Sequence, residues 1–345
     1  MIDAAESIIV DPPLSAEQAG LVYMTDDQPG ITRRRAGKGF VYRDVDGRRI
    51  SDRQILDRLR RLAIPPAWTR VWISPDPRGH LQGTGRDARG RKQHRYHPDW
   101  HAARDEVKFN RMREFGRALP RIRERVDRDM RGKPLARRTV LATIVRLLET
   151  TLVRIGNEEY AKQNDSFGLT TLRDDHVRER GRELLLEFKG KSGKVHSVRV
   201  HDRRAKRIIK ATQDLPGQEL FQYLDEEGQR QKVTSRDVNE YLQDISGESF
   251  TAKDFRTFAA TVMAAWALRE FEQFDSQAKC KRNIRRAIET VAARLGNTPA
   301  ICRKSYVHPE VLNAYLDGSL LAPCRIAPRR ICATTSPACG RRRRR

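Results

Sequence analysis

Disulfides are the first thing this chain cannot be built on. It has five cysteines, an odd number, and three of them (Cys324, Cys332, Cys339) fall in the last 24 residues. Cys280 and Cys302 are more than twenty residues apart. Free thiols and a reducing cytoplasm are therefore expected. No CxxC pair occurs, so a zinc site in the tail is not expected. No apolar run approaches the ~18 residues of a membrane span. The N-terminal MIDAAESIIVDPPL carries acids where a signal peptide carries cations. GTGRDARG is glycine-rich but lacks the GK[ST] ending of a P-loop. Carboxylates at metal-ligand spacing are also missing, so neither metal nor cofactor is expected.

What the chain has in excess is positive charge. Lys and Arg total 69 against 45 Asp and Glu, a formal net charge of +24 on 345 residues. Residues 322–345 hold eight arginines and no acid, so the first 321 residues still carry +16 (24 less 8). A body this basic points to a polyanionic partner. The last 24 residues lack apolar periodicity and are expected to be disordered. The length suits one large or two medium domains.

Residues 1–100 read as short strands. Leu21-Val22-Tyr23 is one; Ile31–Arg35 and Phe40–Arg43 flank the hairpin signal Ala36-Gly37-Lys38-Gly39. Ser51 with Gln54 spells a capping box, and Ile55, Leu59 and Leu62 mark one face of a short helix. Val71–Ile73, His80–Gly83 and Lys92–His97 complete a small antiparallel sheet with one helix. The string HLQGTGRDARGRKQHRYH interleaves Arg86, Arg89, Arg91, Lys92 and Arg95 with glycines that would let backbone approach a phosphate. A solvated, charged edge strand would look the same.

From Pro98 the period turns helical. Leu141, Ile144, Leu148, Leu152 and Ile155 form a stripe with Arg154 in its last turns. Phe167–Leu172 reads as a strand. Glu183–Phe188 and Val195–Val200 form a hairpin with Lys191 at its tip, and a second hairpin surrounds Glu226-Glu227-Gly228. Thr251 and Asp254 cap an apolar helix whose first turn carries Lys253 and Arg256. A basic helix, Gln277–Leu295, ends at Gly296. A linker containing Pro299 then leads to Tyr306, and Pro309 opens another helix.

An arginine ending a helix, a lysine at a hairpin tip, an arginine opening a buried helix and a late tyrosine suit one reaction. Tyr306 attacks a DNA phosphodiester, Arg154 and Arg256 clamp its non-bridging oxygens, and Lys191 protonates the departing 5′ oxygen. Each residue has an ordinary alternative. Tyr306 could be a core tyrosine, with Tyr315 as the other candidate nucleophile. Arg154 and Arg256 could be ion-paired to Glu158 and Asp254. Lys189 or Lys194 could replace Lys191.

Several strings together resemble the type IB DNA topoisomerases, in the compact form found in poxviruses and bacteria. They are IPPAW at 64–68, GHLQGTGRDARGRKQHRYH at 79–97, TLVRIGNEEY at 151–160, FGLTTL at 167–172, FKGKSGKVH at 188–196, FTAKDFRTF at 250–258 and KSYVHP at 304–309. The resemblance implies an α+β chain: a β-rich N-terminal domain over 1–100, a mainly helical catalytic domain over 101–321 and a tail over 322–345. The two lobes would form a clamp that closes on duplex DNA as a monomer, without nucleotide or metal. It implies Tyr306 as nucleophile, Arg154 and Arg256 as the clamping arginines and Lys191 as the acid. Gln93, Tyr96 and Tyr160 are implied as DNA contacts, joined by the cations Arg91 and Lys253. Eukaryotic and viral members have histidine where this chain has Asn297, nine residues before Tyr306. An amide can donate to a phosphoryl oxygen but carries no charge, and asparagine beside Gly296 also suits a helix cap. Such an enzyme would work in the cytoplasm on the nucleoid.

Two other readings remain. A tyrosine recombinase uses the same chemistry, but it normally has histidine where Lys253 stands, and its N-terminal domain is helical. A non-catalytic duplex-binding protein would not need the ordered Arg, Lys, Arg and Tyr.

Overall fold

The computed structural model describes residues 12–181, 183–271 and 276–321. The expected disordered tail, 322–345, lies outside the described residues. The chain divides into two compact units, Met1–Arg111 and Met112–Arg345.

The first unit is built on a five-stranded antiparallel sheet. Its strands are β1 (Ile31–Ala36), β2 (Gly39–Arg43), β3 (Thr69–Ile73), β4 (Leu81–Arg86) and β5 (Lys92–Tyr96), in the order β2-β1-β3-β4-β5. The hairpin expected at Gly37 is β1–β2, paired Ala36 to Gly39. Leu21–Tyr23 is not a strand; Val22 makes only an isolated bridge to Gly79. Among the described residues before Pro98, two helices accompany the sheet, not one: α1 (Pro12–Gln18) and α2 (Arg53–Arg61). The α2 cap is Asp52, not Ser51. Its carboxylate accepts from the Ile55 N–H at 3.0 Å and so satisfies an orphan donor of the first turn.

The IPPAW string earns its place through Arg33. This arginine is buried, with Nη1 donating to the Ile64 carbonyl at 2.9 Å and Nη2 to the Pro65 and Trp68 carbonyls at 2.8 and 2.9 Å. The GTG glycines serve the same packing. A Cβ on Gly83 would lie 3.2 Å from Ile64, and one on Gly85 would lie 2.8 Å from the Trp68 ring. Both glycines are buried against the IPPAW loop, so their bareness admits side chains, whereas Gly90, the third glycine among these cations, is exposed with open space beside it.

The helix α3 (Pro98–Asp129) contains the boundary between the units. After it come α4 (Arg137–Thr151), α5 (Glu158–Asn164), the three-stranded sheet β6 (Val177–Arg180), β7 (Glu183–Lys189) and β8 (Val195–Val200), then α6 (Arg203–Gln213) and the hairpin β9 (Gln222–Leu224) with β10 (Arg230–Lys232). Five more helices follow: α7 (Ser235–Ser246), α8 (Ala252–Arg269), α9 (Gln277–Leu295), α10 (Pro299–Ser305) and α11 (Pro309–Leu316).

Two apolar cores lie in the second unit. The first surrounds α4, which is buried from Val140 through Leu148 except at Arg146 and is covered by Phe115, Leu186, Ile208 and Leu242. The second joins α8 to α9. Ala260 and Ala264 on α8 are small enough to admit Ile284, Ile288 and Val291 of α9, and Cys302, Val307, Leu312 and Tyr315 close the cluster. Each large aliphatic side chain buried this way contributes on the order of 1.5–3 kcal/mol. Among the described residues no helix is long and apolar enough to cross a membrane.

Candidate active site

The apolar stripe of α4 misleads about Arg154. Leu152 continues the stripe but adopts φ 58°, a left-handed cap that ends the helix. Arg154 therefore lies beyond α4 and not in its last turns. Thr150 and Thr151, β-branched and poor helix formers, precede the break. The segment after it is held by its backbone. The Arg154 carbonyl accepts from the Leu169 N–H at 2.9 Å, and the Ile155 carbonyl accepts from the Thr170 N–H at 2.7 Å. FGLTTL is accordingly not a strand. It makes a 3-10 turn, Leu169–Thr171, whose N–H groups anchor the arginine segment. Gly168 permits the approach, because a Cβ there would stand 2.6 Å from the Arg154 carbonyl oxygen and 2.5 Å from the Gly156 nitrogen.

Arg256 enters from the first turn of α8. It is 5% exposed, and its Nη2 donates to the Leu295 carbonyl at 2.8 Å while Nη1 donates to the Leu152 carbonyl. Both acceptors are at helix C-terminal ends, where a cation is favoured. Its Nε, buried, has no hydrogen-bond partner among the described residues. Arg154 donates from Nη2 to the Asn297 side-chain oxygen. The ion-pair alternative is not realised: among the described residues neither arginine has a carboxylate partner, and Asp254 accepts from Thr251 N and Oγ1 at 2.7 and 3.0 Å. Burial and then the neighbouring Arg154 hold Arg256 below the usual arginine range.

Gly296 ends α9 at φ 65°, as its position suggested, and Asn297 follows it. The expected linker around Pro299 is largely the short helix α10, with proline in its first turn and the Thr298 hydroxyl accepting from the Ile301 N–H at 3.4 Å. Tyr306 is the residue that caps the end of α10. Thr261 of α8 fixes the chain on either side of it. The Thr261 hydroxyl donates to the Tyr306 carbonyl at 3.1 Å and accepts from the His308 N–H at 3.0 Å.

The Tyr306 ring is half-buried against the second core, and the Arg256 guanidinium carbon lies 5.4 Å from its centroid. Burial by itself would raise the phenol pKa. The Arg256 and Arg154 charges, with polar contacts to Arg256 and Asn297, outweigh it and hold the phenol below the ordinary tyrosine value. Asn297 is buried, and its Nδ2 has no partner among the described residues. The structure thus brings Arg154, Arg256, Asn297 and Tyr306 together, with two buried N–H donors, Arg256 Nε and Asn297 Nδ2, that lack a well-formed hydrogen bond beside the phenol. Tyr315, the other candidate nucleophile, is fully buried, and its hydroxyl accepts from Asn283 Nδ2 at 2.7 Å.

The hairpin lysines divide differently. Lys191 is exposed in the 3-10 turn Lys191–Gly193 and has no hydrogen-bond or ion-pair partner among the described residues. Lys189 lies 3.9 Å from Asp165. Lys194 is the one that reaches the cluster, with Nζ 3.5 Å from the Asn297 carbonyl oxygen. His196 also belongs here, and sequence reasoning passed over it. Burial, then the charges of Arg154, Arg256 and Lys194, hold its pKa below the ordinary histidine value. Its signal was its place in FKGKSGKVH, on the strand that returns from the lysine turn.

The expected DNA-contacting residues fall in both units. In the first, Arg91 and Gln93 converge on Asp87: Arg91 Nε donates at 2.8 Å and Gln93 Nε2 at 3.1 Å. Tyr96, on the same edge strand, stacks with His94 at 5.8 Å between centroids. In the second, Tyr160 is 46% exposed on α5 and Lys253 is exposed at the start of α8. No three His, Cys, Asp or Glu side chains among the described residues are grouped to hold a metal.

Comparison with known proteins shows which family the chain resembles. Residues 97–319 match the family described as eukaryotic DNA topoisomerase I, catalytic core, and residues 39–87 match bacterial DNA topoisomerase IB, N-terminal domain. The chain is 34% identical over 293 residues to DNA topoisomerase 1B of Acanthamoeba polyphaga mimivirus, covering 83% of this chain and 87% of that one. It is 25% identical over 244 residues to DNA topoisomerase 1B of vaccinia virus (strain Copenhagen), covering 69% and 73%. DNA topoisomerase I of monkeypox virus matches at 25% over the same shares. Its antiparallel N-terminal sheet argues against the helical N-terminal domain of a recombinase, and the chain belongs to the type IB DNA topoisomerases, isomerases that act on duplex DNA.

Proposed function

We propose that this chain relaxes supercoiled DNA with Tyr306 as its nucleophile and Arg154, Arg256, Asn297 and Lys191 as its catalytic partners. Tyr306 gives up its phenolic proton to solvent, and its oxygen attacks a backbone phosphorus, forming a 3′-phosphotyrosyl bond as the bond to the 5′ oxygen breaks. Lys191 gives that oxygen its proton. The free strand rotates, and the 5′ hydroxyl then attacks the phosphotyrosine, returning its proton to Lys191 and releasing Tyr306 as phenolate, which takes a proton back from solvent. Arg154 and Arg256 stabilise the charge that builds on the non-bridging oxygens, where preorganised donors act most strongly. Asn297 supplies a neutral donor in place of histidine. The phosphotyrosine conserves the bond energy, so the cycle needs no nucleotide.

The observation that supports this most is the pair of buried donors, Arg256 Nε and Asn297 Nδ2, that lack a well-formed hydrogen bond beside a phenol held below its ordinary pKa. Leaving such groups unpaired is costly, and a phosphoryl oxygen would satisfy them. In this reading residues 1–100 bind DNA, 101–321 carry catalysis, and the protein acts as a monomer. Arg91, Gln93, Tyr96, Tyr160 and Lys253 contact the DNA, and the enzyme acts on the cytoplasmic nucleoid. The test is Tyr306→Phe, which is expected to bind duplex DNA within about twofold of wild type and to form no detergent-trapped adduct. Adduct formation by that variant would overturn the assignment.

A further inference from the structure

His196 lies opposite Phe188 in the β7–β8 register, and the two rings stack at 5.1 Å between centroids with a 14° interplanar angle. The same imidazole covers two glycines. A Cβ on Gly190 would lie 2.6 Å from the ring's Cδ2 and 2.7 Å from its Nε2, and one on Gly296 would lie 3.0 Å from Cε1. A Cβ would collide with the ring at 190 and would crowd it at 296, so the ring fits closely because both positions lack one. Gly190 immediately precedes Lys191, and Gly296 immediately precedes Asn297. One side chain thus touches both the turn that carries the proposed acid and the helix cap that carries the amide.

The charged groups acting on the ring are Arg154, Arg256 and Lys194. Together with burial they favour the neutral imidazole, so the ring brings shape without adding a fourth positive charge. Lys194 makes a second link of the same kind, from the hairpin to the Asn297 carbonyl at 3.5 Å. Phe188, 4% exposed, is anchored in the first core, so the ring stacked on it has a fixed base.

We propose that His196 is a positioning residue of the cleavage site: an aromatic wedge, stacked on Phe188, that sets the lysine-bearing hairpin turn against the α9 cap. It acts through Lys191 and Asn297 and not by touching the phosphate. The inference rests on the reading of Lys191 as the acid.

The test compares His196→Ala and His196→Phe in the full chain by single-turnover cleavage at saturating enzyme. Duplexes with an ordinary 5′ oxygen and with a 5′-bridging sulfur are used, the sulfur being a leaving group that needs no proton. His196→Ala is expected to slow cleavage of the oxygen substrate by roughly 10- to 100-fold, the cost of misplacing a catalytic group by about an ångström. Duplex affinity should stay within about twofold, and much of the loss should vanish with sulfur. His196→Phe, which keeps the planar stack, should cleave within about threefold of wild type. Melting curves check folding, and if the alanine variant unfolds, His196→Gln, without a ring, takes its place. The proposal is overturned if the ring-less variant cleaves normally, if Phe falls as far as Ala, or if sulfur relieves nothing in the ring-less variant while relieving Lys191→Ala. If sulfur fails to relieve Lys191→Ala itself, the acid assignment is wrong, and the comparison of Phe with Ala still decides whether the ring is a wedge.

Discussion

In the proposed reaction the Arg256 and Arg154 charges, which outweigh burial and hold the Tyr306 phenol below its ordinary pKa, would favour its attack on phosphorus. Its complement is a group that returns a proton. Lys191→Ala is expected to slow cleavage by about 10²–10⁴-fold, the usual range for a positioned acid, with most of the loss restored on a 5′-bridging sulfur substrate. Equal loss on both substrates would show that the lysine serves binding. Lys194→Ala in the same assay separates the two lysines and should give the smaller loss, with no relief by sulfur. A different titration is written into the first unit. His80 is buried, and its Nδ1 accepts from the Met24 N–H at 3.0 Å, which requires that nitrogen to be unprotonated. Burial is the main reason its pKa falls to about 4; Arg104 adds to this, and a hydrogen bond involving the Val22 backbone opposes it. The unfolded chain takes up this proton near pH ~6.5, before the folded one does, so stability is lost as pH falls from about 6.5 toward 4. The full effect is about 3 kcal/mol. His80→Gln should be less stable at pH 7, and its melting temperature should drop less between pH 7 and 4.5 than that of wild type. An identical drop would contradict the assignment.

At the level of elements, the site depends on chain segments that stop being helical at the right places. Gly168 is the tightest of these. Its missing Cβ lets the 169–171 turn hold the Arg154 backbone, and the obstructing atoms are backbone, which cannot swing aside. Gly168→Ala is therefore expected to cost about 1–3 kcal/mol, as overpacking usually does, and to reduce cleavage far more than DNA affinity. A variant with unchanged cleavage would mean that Arg154 is not held through this turn. These stops also mark what a sequence can disclose. The hairpins, α8, α9 and the Gly296 cap were legible because period, glycine and capping residues agreed. The left-handed Leu152 was not, because Leu152 and Ile155 extend the α4 stripe and nothing local forbids another turn. The 169–171 turn has β-like composition, and its conformation is imposed by hydrogen bonds to Arg154 and Ile155. The helix α10 was hidden because Pro299, read as part of a linker, is in fact in a first helical turn. Among site residues, the arginines and tyrosine were legible as chemistry. His196 was not, since its importance lies in two glycines distant from each other in sequence.

For the whole molecule the governing quantity is charge. Residues 322–345 hold eight arginines, a third of the net +24, and every proposed catalytic residue precedes Gly318. A chain ending at Ala322 is expected to relax DNA and cleave at an unchanged single-turnover rate, while binding non-specifically less tightly. Every DNA phosphate that the shortened chain no longer neutralises should make the log–log salt slope shallower by roughly 0.9. A large fall in single-turnover cleavage would show that the tail helps to build the site. The central claim, that Tyr306 takes the DNA strand at its 3′ phosphate, is tested most directly by relaxing plasmid in EDTA, trapping the adduct with detergent, and mapping the nucleotide-bearing tryptic peptide by fragmentation mass spectrometry. The account predicts a 3′-phosphonucleotide on Tyr306, in the peptide that begins at Ser305; a nucleotide on Tyr315 or elsewhere, or one attached through its 5′ phosphate, would contradict it.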